Sequence, residues 1–297
     1  MKVIVTGASG LLGSALVPVL RQAGHEVVTL VRRSPTSPHE ARWDPAAGTL
    51  DVDALAGADA AVHLAGAGIG DKRWSAEYRQ LIRESRVAGT TLLARTLADL
   101  QPRPRVLLSA SGVGYYGDTG ENAVDETGPP GTGFLPEVCA EWEAATTPAA
   151  EAGIRVCRMR SGIVLSRSGG ALRRQLLPYR LGLGGPLGSG RQWMSWIEVT
   201  DEIAAMVFLL TAASVTGPVN LTAPAPVRQR DFAKSLGRAL SRPAVLPAPR
   251  LGLRLLLGGI TDDLLGSQRV IPRLLLDAGF AFRSPDLPAA LAAALRA

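Results

Sequence analysis

The chain is poor in the residues that announce metal or disulfide chemistry. It has two cysteines and three histidines in 297 residues. Cys139 and Cys157 sit in apolar contexts and lack metal-ligand spacing, and the histidines are scattered. A disulfide framework and a structural zinc centre are therefore excluded, and buried free thiols suit a reducing cytoplasm. Aromatic residues make up only 5%. Lysine is nearly missing, with Lys2, Lys72 and Lys234 alone, so the net charge of +6 is carried by dispersed arginines. A nucleic-acid groove needs clustered cations with interleaved aromatics, and none is present. No uncharged apolar run reaches about 18 residues, so no membrane span is expected. The chain passes from Met1 directly into the apolar segment KVIVT, so no cleavable signal is expected.

What remains is an ordinary globular composition, 46% hydrophobic and 20% charged. That length suits one large domain, or a main domain with a smaller satellite. Segment 2–6 is β-branched and apolar, as in a strand buried on both faces. Segment 11–23 has helical spacing and meets Gly24 as a C-cap. Further strands are expected at 26–31, 59–65 and 105–109, with a strand running into a loop at 154–165. Residues 76–99 predict a long helix with an apolar face at Leu81, Ile82, Val87, Leu92, Leu93 and Leu97. A second helix is expected at 134–151. Strands alternating with helices predict an α/β fold, a Rossmann-like doubly wound parallel sheet with right-handed crossovers. The composition changes after about residue 165, where Gly-rich loops begin. We divide the chain into a dinucleotide-binding core at 1–165 and a smaller C-terminal α/β lobe on the substrate side at 166–297. Later segments return to the sheet, and the 243–297 tail, rich in Pro, Leu and Ala, is expected to be helical.

The first strand is followed by Thr6-Gly7-Ala8-Ser9-Gly10-Leu11-Leu12-Gly13. Gly7 permits the tight turn, Gly10 lets backbone approach a phosphate, and Gly13 lets helix pack on strand. The amides at the helix start and the positive dipole end then face a pyrophosphate. A glycine motif alone is weak, but here strand, turn and helix occur in order. The second strand selects the cofactor. NAD-binding proteins place a carboxylate near its end for the ribose 2′-hydroxyl. This strand ends in Arg32 and Arg33, with no acid before Glu40. Two guanidiniums suit a 2′-phosphate, so NADP is the expected cofactor.

Several further segments carry a resemblance. They are VHLAG at 62–66, DKRW at 71–74, Ser85-Arg86, VGYYG at 113–117, Trp142-Glu143, RSGIVLSRSGGAL at 160–172, LGLGGPLGSG at 181–190 and SQRVIPRLLLDAGFAF at 267–282. Together they resemble extended short-chain dehydrogenase/reductases, and more closely their atypical epimerase-family branch, whose members end in a small C-terminal domain of unknown function. The resemblance implies a Rossmann core, an NADP cofactor and a small-molecule substrate. It implies cofactor contacts at Gly7, Ser9, Gly10, Leu11, Leu12, Gly13, Arg32, Arg33, Leu64, Ala65, Gly66, Arg86 and Ser109, and at the Gly162-Ile163 backbone near the nicotinamide. Related proteins often dimerise, and the helices at 76–99 and 137–151 could pair across a homodimer.

The sequence departs from that superfamily at the chemistry. Its usual acid–base pair is Tyr-x-x-x-Lys on one helix, but here that helix reads FLPEVCAEWE at 134–143, with neither residue. The Asn of the preceding helix is replaced by Arg86. Substitute catalytic groups are Ser111, Tyr115, Tyr116 and Arg160, just at or beyond strand ends. Each also has a structural reading: wall packing for the tyrosines, a capping hydroxyl for Ser111, a buried carboxylate partner for Arg160. Glu137 and Glu141 are further candidates. Where related proteins carry a His two residues after the second tryptophan of the 193–196 segment, this chain has Glu198. Asp201 is the expected N-cap of the next helix. Arg73 and Arg191 are expected to rim a pocket for a planar or anionic substrate. These features favour an NADP(H)-dependent oxidoreductase with unusual proton transfer. The alternatives are a silent NADP(H) sensor or, less well supported, an interaction protein.

Overall fold

The apolar runs find their explanation in a sheet covered on both sides. The computed structural model describes residues 1–296, apart from the side chains of residues 256, 257 and 264. In chain order the elements are β1 Lys2–Thr6, α1 Leu11–Gln22, β2 Glu26–Val31, β3 Glu40–Asp44, β4 Thr49–Leu50, β5 Ala60–His63, α2 Ala76–Asp99, β6 Val106–Gly112, β7 Ala123–Val124, α3 Phe134–Ala144, α4 Thr147–Glu151, β8 Arg155–Ser161 and β9 Ile163–Leu165. There follow α5 Gly170–Arg180, β10 Trp193–Met194, β11 Trp196–Glu198, α6 Val199–Thr211, β12 Gly217–Leu221, β13 Val227–Arg228, α7 Gln229–Ala239, α8 Arg250–Leu257, α9 Ile260–Leu265, β14 Arg269–Val270, α10 Arg273–Asp277 and α11 Leu287–Arg296.

The main sheet has the order β12-β8-β6-β5-β1-β2-β3-β4, and only the β3–β4 edge pair is antiparallel. The chain winds outward from β1 in both directions, the doubly wound topology expected from the alternation. Side chains alternate between the two faces along each strand. Val3, Val5 and Leu108 join α1 and α6 in one core. Ile4, Leu107 and Val28 join α2 and α4 in the other. Leu97 is wholly buried in the second core. Truncating such a leucine to alanine costs about 2–5 kcal/mol. A third core, around Trp196, Leu172, Phe232 and Leu291, joins α5, α7 and α11 to β9 and β11. The winding order places the ends of β1 and β5 beside one another at the reversal point, where ligands bind in such sheets.

Three expected elements differ. The helix at 134–151 is two helices, because Pro148 lies at the start of α4 and cannot continue an α3 hydrogen-bond ladder. The strand at 154–165 divides at Gly162, whose amide donates to Leu221 O; the chain then leaves the sheet to pair β9 with β11. The tail is only partly helical, since β14 interrupts it by pairing with β7. On α2, Leu81 is 46% exposed and is not a core position. Among the described residues, no helix is long and apolar enough to cross a membrane.

Candidate functional site

The turn after β1 shows two distinct uses of glycine. Gly7 has φ of +68°, and a Cβ there would lie 2.7 Å from the Leu64 carbonyl carbon. A Cβ on Gly13 would fall 2.2 Å from Gly7 O. Both positions are closed by packing. Gly10 is less crowded: a single atom, Gly7 O, lies near its virtual Cβ, in a tight contact at 3.3 Å. Gly10 caps α1 without a side-chain bond, and the first intrahelical bond is Ser14 N to Gly10 O. The amides of Leu11, Leu12 and Gly13 thus precede the helical ladder and are free to meet an anion. This cradle fits a dinucleotide pyrophosphate.

Thr6 joins the two strand ends that form the crevice floor. Its Oγ1 accepts the amides of Leu64 at 3.0 Å and Ala65 at 3.2 Å. With its acceptor places filled, the hydroxyl donates to His63 Nδ1 at 2.8 Å. Burial pushes His63 down to about 4, so the ring is neutral at neutral pH. Leu64 and Ala65 are half-buried along the crevice, and Gly66 is exposed. Arg86 lies against Gly66, donates to Ala67 O and Ile82 O at 3.0 Å each, and stacks over Trp142. Ser109, expected as a cofactor contact, lies on β6, 1% exposed, with its hydroxyl unpartnered.

At the end of β2 the two arginines part company. Arg33 donates to Glu40 from Nη1 at 2.8 Å and Nη2 at 2.5 Å. Glu40 also accepts from Thr36 N and Oγ1. The Arg33 hydrogen bonds hold the Glu40 carboxyl down at about 2. Arg32 is exposed and has no such partner. The acid that the sequence placed safely downstream therefore reaches back and engages Arg33.

Three of the four expected catalytic residues form one buried network. Ser111, Arg160 and Asn220 are register partners on β6, β8 and β12. Glu143 of α3 receives Arg160 Nε at 2.7 Å and Nη2 at 2.8 Å, and Ser111 Oγ at 2.7 Å. Arg160 Nη1 donates to Tyr116 Oη at 2.9 Å, and Tyr116 donates to Asn220 Oδ1 at 2.7 Å. Asn220 is fixed in turn by Ile271 O and by Glu126. Burial opposes the charge on Arg160, but Glu143 outweighs it and holds the guanidinium above its ordinary range. Burial pushes Tyr116 up to about 12, so it keeps its proton at neutral pH. The guanidinium has no spare charge for a substrate anion. The fourth residue, Tyr115, is half-buried and places its ring on Arg160, 3.5 Å from Cζ to the ring centroid. Its hydroxyl makes no hydrogen bond among the described residues.

Other expected site residues lie elsewhere. Glu137 and Glu141 leave the crevice and pair with Arg83 of α2. Towards Gly114, α3 presents Leu135 and Cys139. Burial pushes the Cys139 thiol up to about 12, so it is inert. Asp201 is not an N-cap. Glu198 is, accepting Thr200 N at 2.7 Å, while Asp201 accepts the amides of Arg283 and Ser284 at 2.9 Å each. A small cavity of about 60 Å³ lies beside Ile163 and Trp193, and neither Arg73 nor Arg191 lines it, but Arg191 lines a second opening of about 300 Å³ with Arg228 and Arg230. Glu143 escaped notice because a glutamate on an α3 face looks solvated until the fold turns it inward. Asn220 and the buried Glu202 had no sequence signal at all.

Fold and crevice define a dinucleotide-binding Rossmann protein of the extended type. Residues 3–221 match the NAD dependent epimerase/dehydratase family, and residues 248–294 match a domain of unknown function, DUF1731. The chain belongs to that epimerase/dehydratase family. It is 45% identical over 290 residues to the epimerase family protein Mb2239 of Mycobacterium bovis, covering 97% of this chain and 96% of the relative. It is 38% identical over 296 residues to the epimerase family protein SDR39U1 of Bos taurus, covering 98% of each. The crystal structure of human SDR39U1 (isoform 2) with NADPH superposes with a TM-score of 0.91 at 34% identity, covering 100% of this chain and 99% of that one.

Proposed function

We propose that the chain is an NADP(H)-dependent oxidoreductase acting on a small molecule, with Tyr115 in place of the usual Tyr-x-x-x-Lys pair. The observation that carries this reading is Gly10, crowded by Gly7 O alone, ahead of the free amides of Leu11, Leu12 and Gly13. The solved human relative, crystallised with NADPH, supports the choice of cofactor. Gly10 and the α1 amides would hold the pyrophosphate, Arg32 the 2′-phosphate, and the Gly162-Ile163 backbone the nicotinamide end. When bound, the cofactor supplies or accepts a hydride. Tyr115 would deliver the proton to the substrate oxygen. Arg160 fixes its ring from one side, and Glu143, Ser111, Tyr116 and Asn220 fix Arg160, so the phenol is held in place without being hydrogen-bonded away.

Two measurements test this. Calorimetry should show NADPH binding more tightly than NADH. Bound NADPH should be oxidised by some member of a carbonyl and enone panel, and Tyr115→Phe should lower kcat by about 10²–10⁴-fold with little change in KM. A second reading rests on the apolar Leu135 and Cys139 that α3 turns towards Gly114. If NADPH binds and no panel member oxidises it, the chain is a sensor of the cofactor. The two buried thiols suit a cytoplasmic setting. A homodimer through α2 and α3 belongs to the same proposal, with light scattering as its check.

A further inference from the structure

The cavity beside Ile163 has an unusual polar lining. It consists of four primary amides, Gln175, Gln192, Gln229 and Gln268, and one acid, Asp263. No arginine, lysine or histidine lines it. The amides are already partly used, and the remainder can be counted. Gln175 Nε2 donates to Ala171 O at 3.2 Å. Turning that amide over would set two acceptor oxygens against each other, so the orientation is forced. Gln175 Oε1 is consequently a buried acceptor without a partner. Gln192 Nε2 donates to Leu187 O at 3.1 Å, which leaves its Oε1 free as an acceptor as well. Gln229 uses its acceptor on Leu187 N at 2.8 Å and keeps its donors. Asp263 adds two more acceptor oxygens and, when ionised, the cavity's single charge. Burial, with Asp262 adding to it, raises its carboxyl to about 6, which leaves it mostly ionised at neutral pH.

Two amide oxygens, Gln175 Oε1 and Gln192 Oε1, are therefore left for a donor that the protein does not supply, and Asp263 adds negative charge beside them. An anion entering here would meet Asp263, and Arg79, the cation that eases the Asp263 charge, is not among the described lining residues. The volume, about 60 Å³, is also far below the roughly 300–1,000 Å³ of pockets for larger ligands. A nucleoside diphosphate is the wrong size and the wrong charge. Trp193 and Phe232 supply an apolar wall for a short carbon skeleton.

From this accounting we infer that the cavity takes a compact, uncharged, hydroxyl-bearing carbonyl compound, recognised through hydrogen bonds donated to Gln175 Oε1, Gln192 Oε1 and Asp263. The inference deepens the oxidoreductase proposal and rests on it for the reaction: bound NADPH would supply hydride to the carbonyl carbon, Tyr115 would give its proton to the oxygen and regain one from solvent, and the alcohol and NADP would be the products.

The test uses full-length protein loaded with NADPH and three probes of similar skeleton: dihydroxyacetone, 3-pentanone and dihydroxyacetone phosphate. UDP-glucose is a fourth. Binding is read from tryptophan fluorescence, with Trp193→Phe identifying the responding residue, and turnover from loss of NADPH absorbance. Dihydroxyacetone should bind saturably, with the other three at least about tenfold weaker. Gln175→Leu should weaken dihydroxyacetone by about tenfold while NADPH affinity is kept. Gln268→Leu, with the thermal melt as a folding control, gives an independent reading. Asp263→Asn should narrow the gap between dihydroxyacetone and its phosphate. Tighter binding of the phosphate or of UDP-glucose overturns the inference. So does an unchanged affinity in Gln175→Leu, or no saturable binding of dihydroxyacetone. Saturable binding without NADPH loss would instead sink the enzyme proposal and leave the ligand class standing.

Discussion

Arg160 and Glu143 are joined by two parallel hydrogen bonds, at 2.7 and 2.8 Å, with both side chains almost wholly enclosed. Breaking such a pair leaves one charge buried without its partner. Glu143→Ala should destabilise the protein by about 3–5 kcal/mol, measured by urea unfolding. A double replacement by apolar residues of similar volume should recover much of that loss while removing activity. Full activity in the double variant would mean that the pair has no part in holding Tyr115.

The glycine turn separates folding from binding. Gly13→Ala places a methyl 2.2 Å from Gly7 O and should lower both the melting temperature and NADPH affinity. Gly10 has φ of −79° and ψ of 176°, a conformation any residue adopts. A side chain at Gly10 meets Gly7 O alone, at 3.3 Å, so Gly10→Val should cost the fold less than Gly13→Ala does. Calorimetry should nevertheless show NADPH binding lost, because the side chain fills the phosphate's place.

Glu40 competes with a 2′-phosphate for Arg33, so Glu40→Gln should tighten NADPH binding by several-fold and leave NADH unchanged. Arg32→Ala should act oppositely, weakening NADPH alone. Equal effects on both cofactors in calorimetry would show that neither arginine reads the phosphate.

Glu202 gives the stability a distinctive pH dependence. Burial pushes its carboxyl up to about 8, with only Ser161 donating to it at 2.5 Å. The folded protein thus holds a proton that the unfolded chain releases above its ordinary value near 4.5. Between those limits the native state binds more protons, and stability falls as pH rises, by at most about 1.4 kcal/mol per unit from this group. Above about 8 its contribution is flat. Glu202→Gln should remove that slope in denaturation curves taken across the window. A parent curve without a decline over that range would contradict the assignment.

Much of this molecule was legible in one dimension. KVIVT followed by three spaced glycines and a helical pattern was legible as strand, turn and helix because Gly7 takes a positive φ and Gly13 packs on Gly7 O within the turn itself. The alternation of apolar strands and amphipathic helices determined a parallel sheet for the same reason: such strands need cover on both faces. The arginines at the end of β2 were equally plain. What the tertiary structure decided was pairing at a distance. Glu40 could not be seen to hold Arg33, nor Glu143 to hold Arg160, because ion pairs across a fold leave no periodicity. Asn220 lies 104 residues from Tyr116 yet receives its hydrogen bond, and only the return of β12 to the sheet brings them together. Local chemistry is written in neighbouring residues. The partner of a buried charge is chosen by topology.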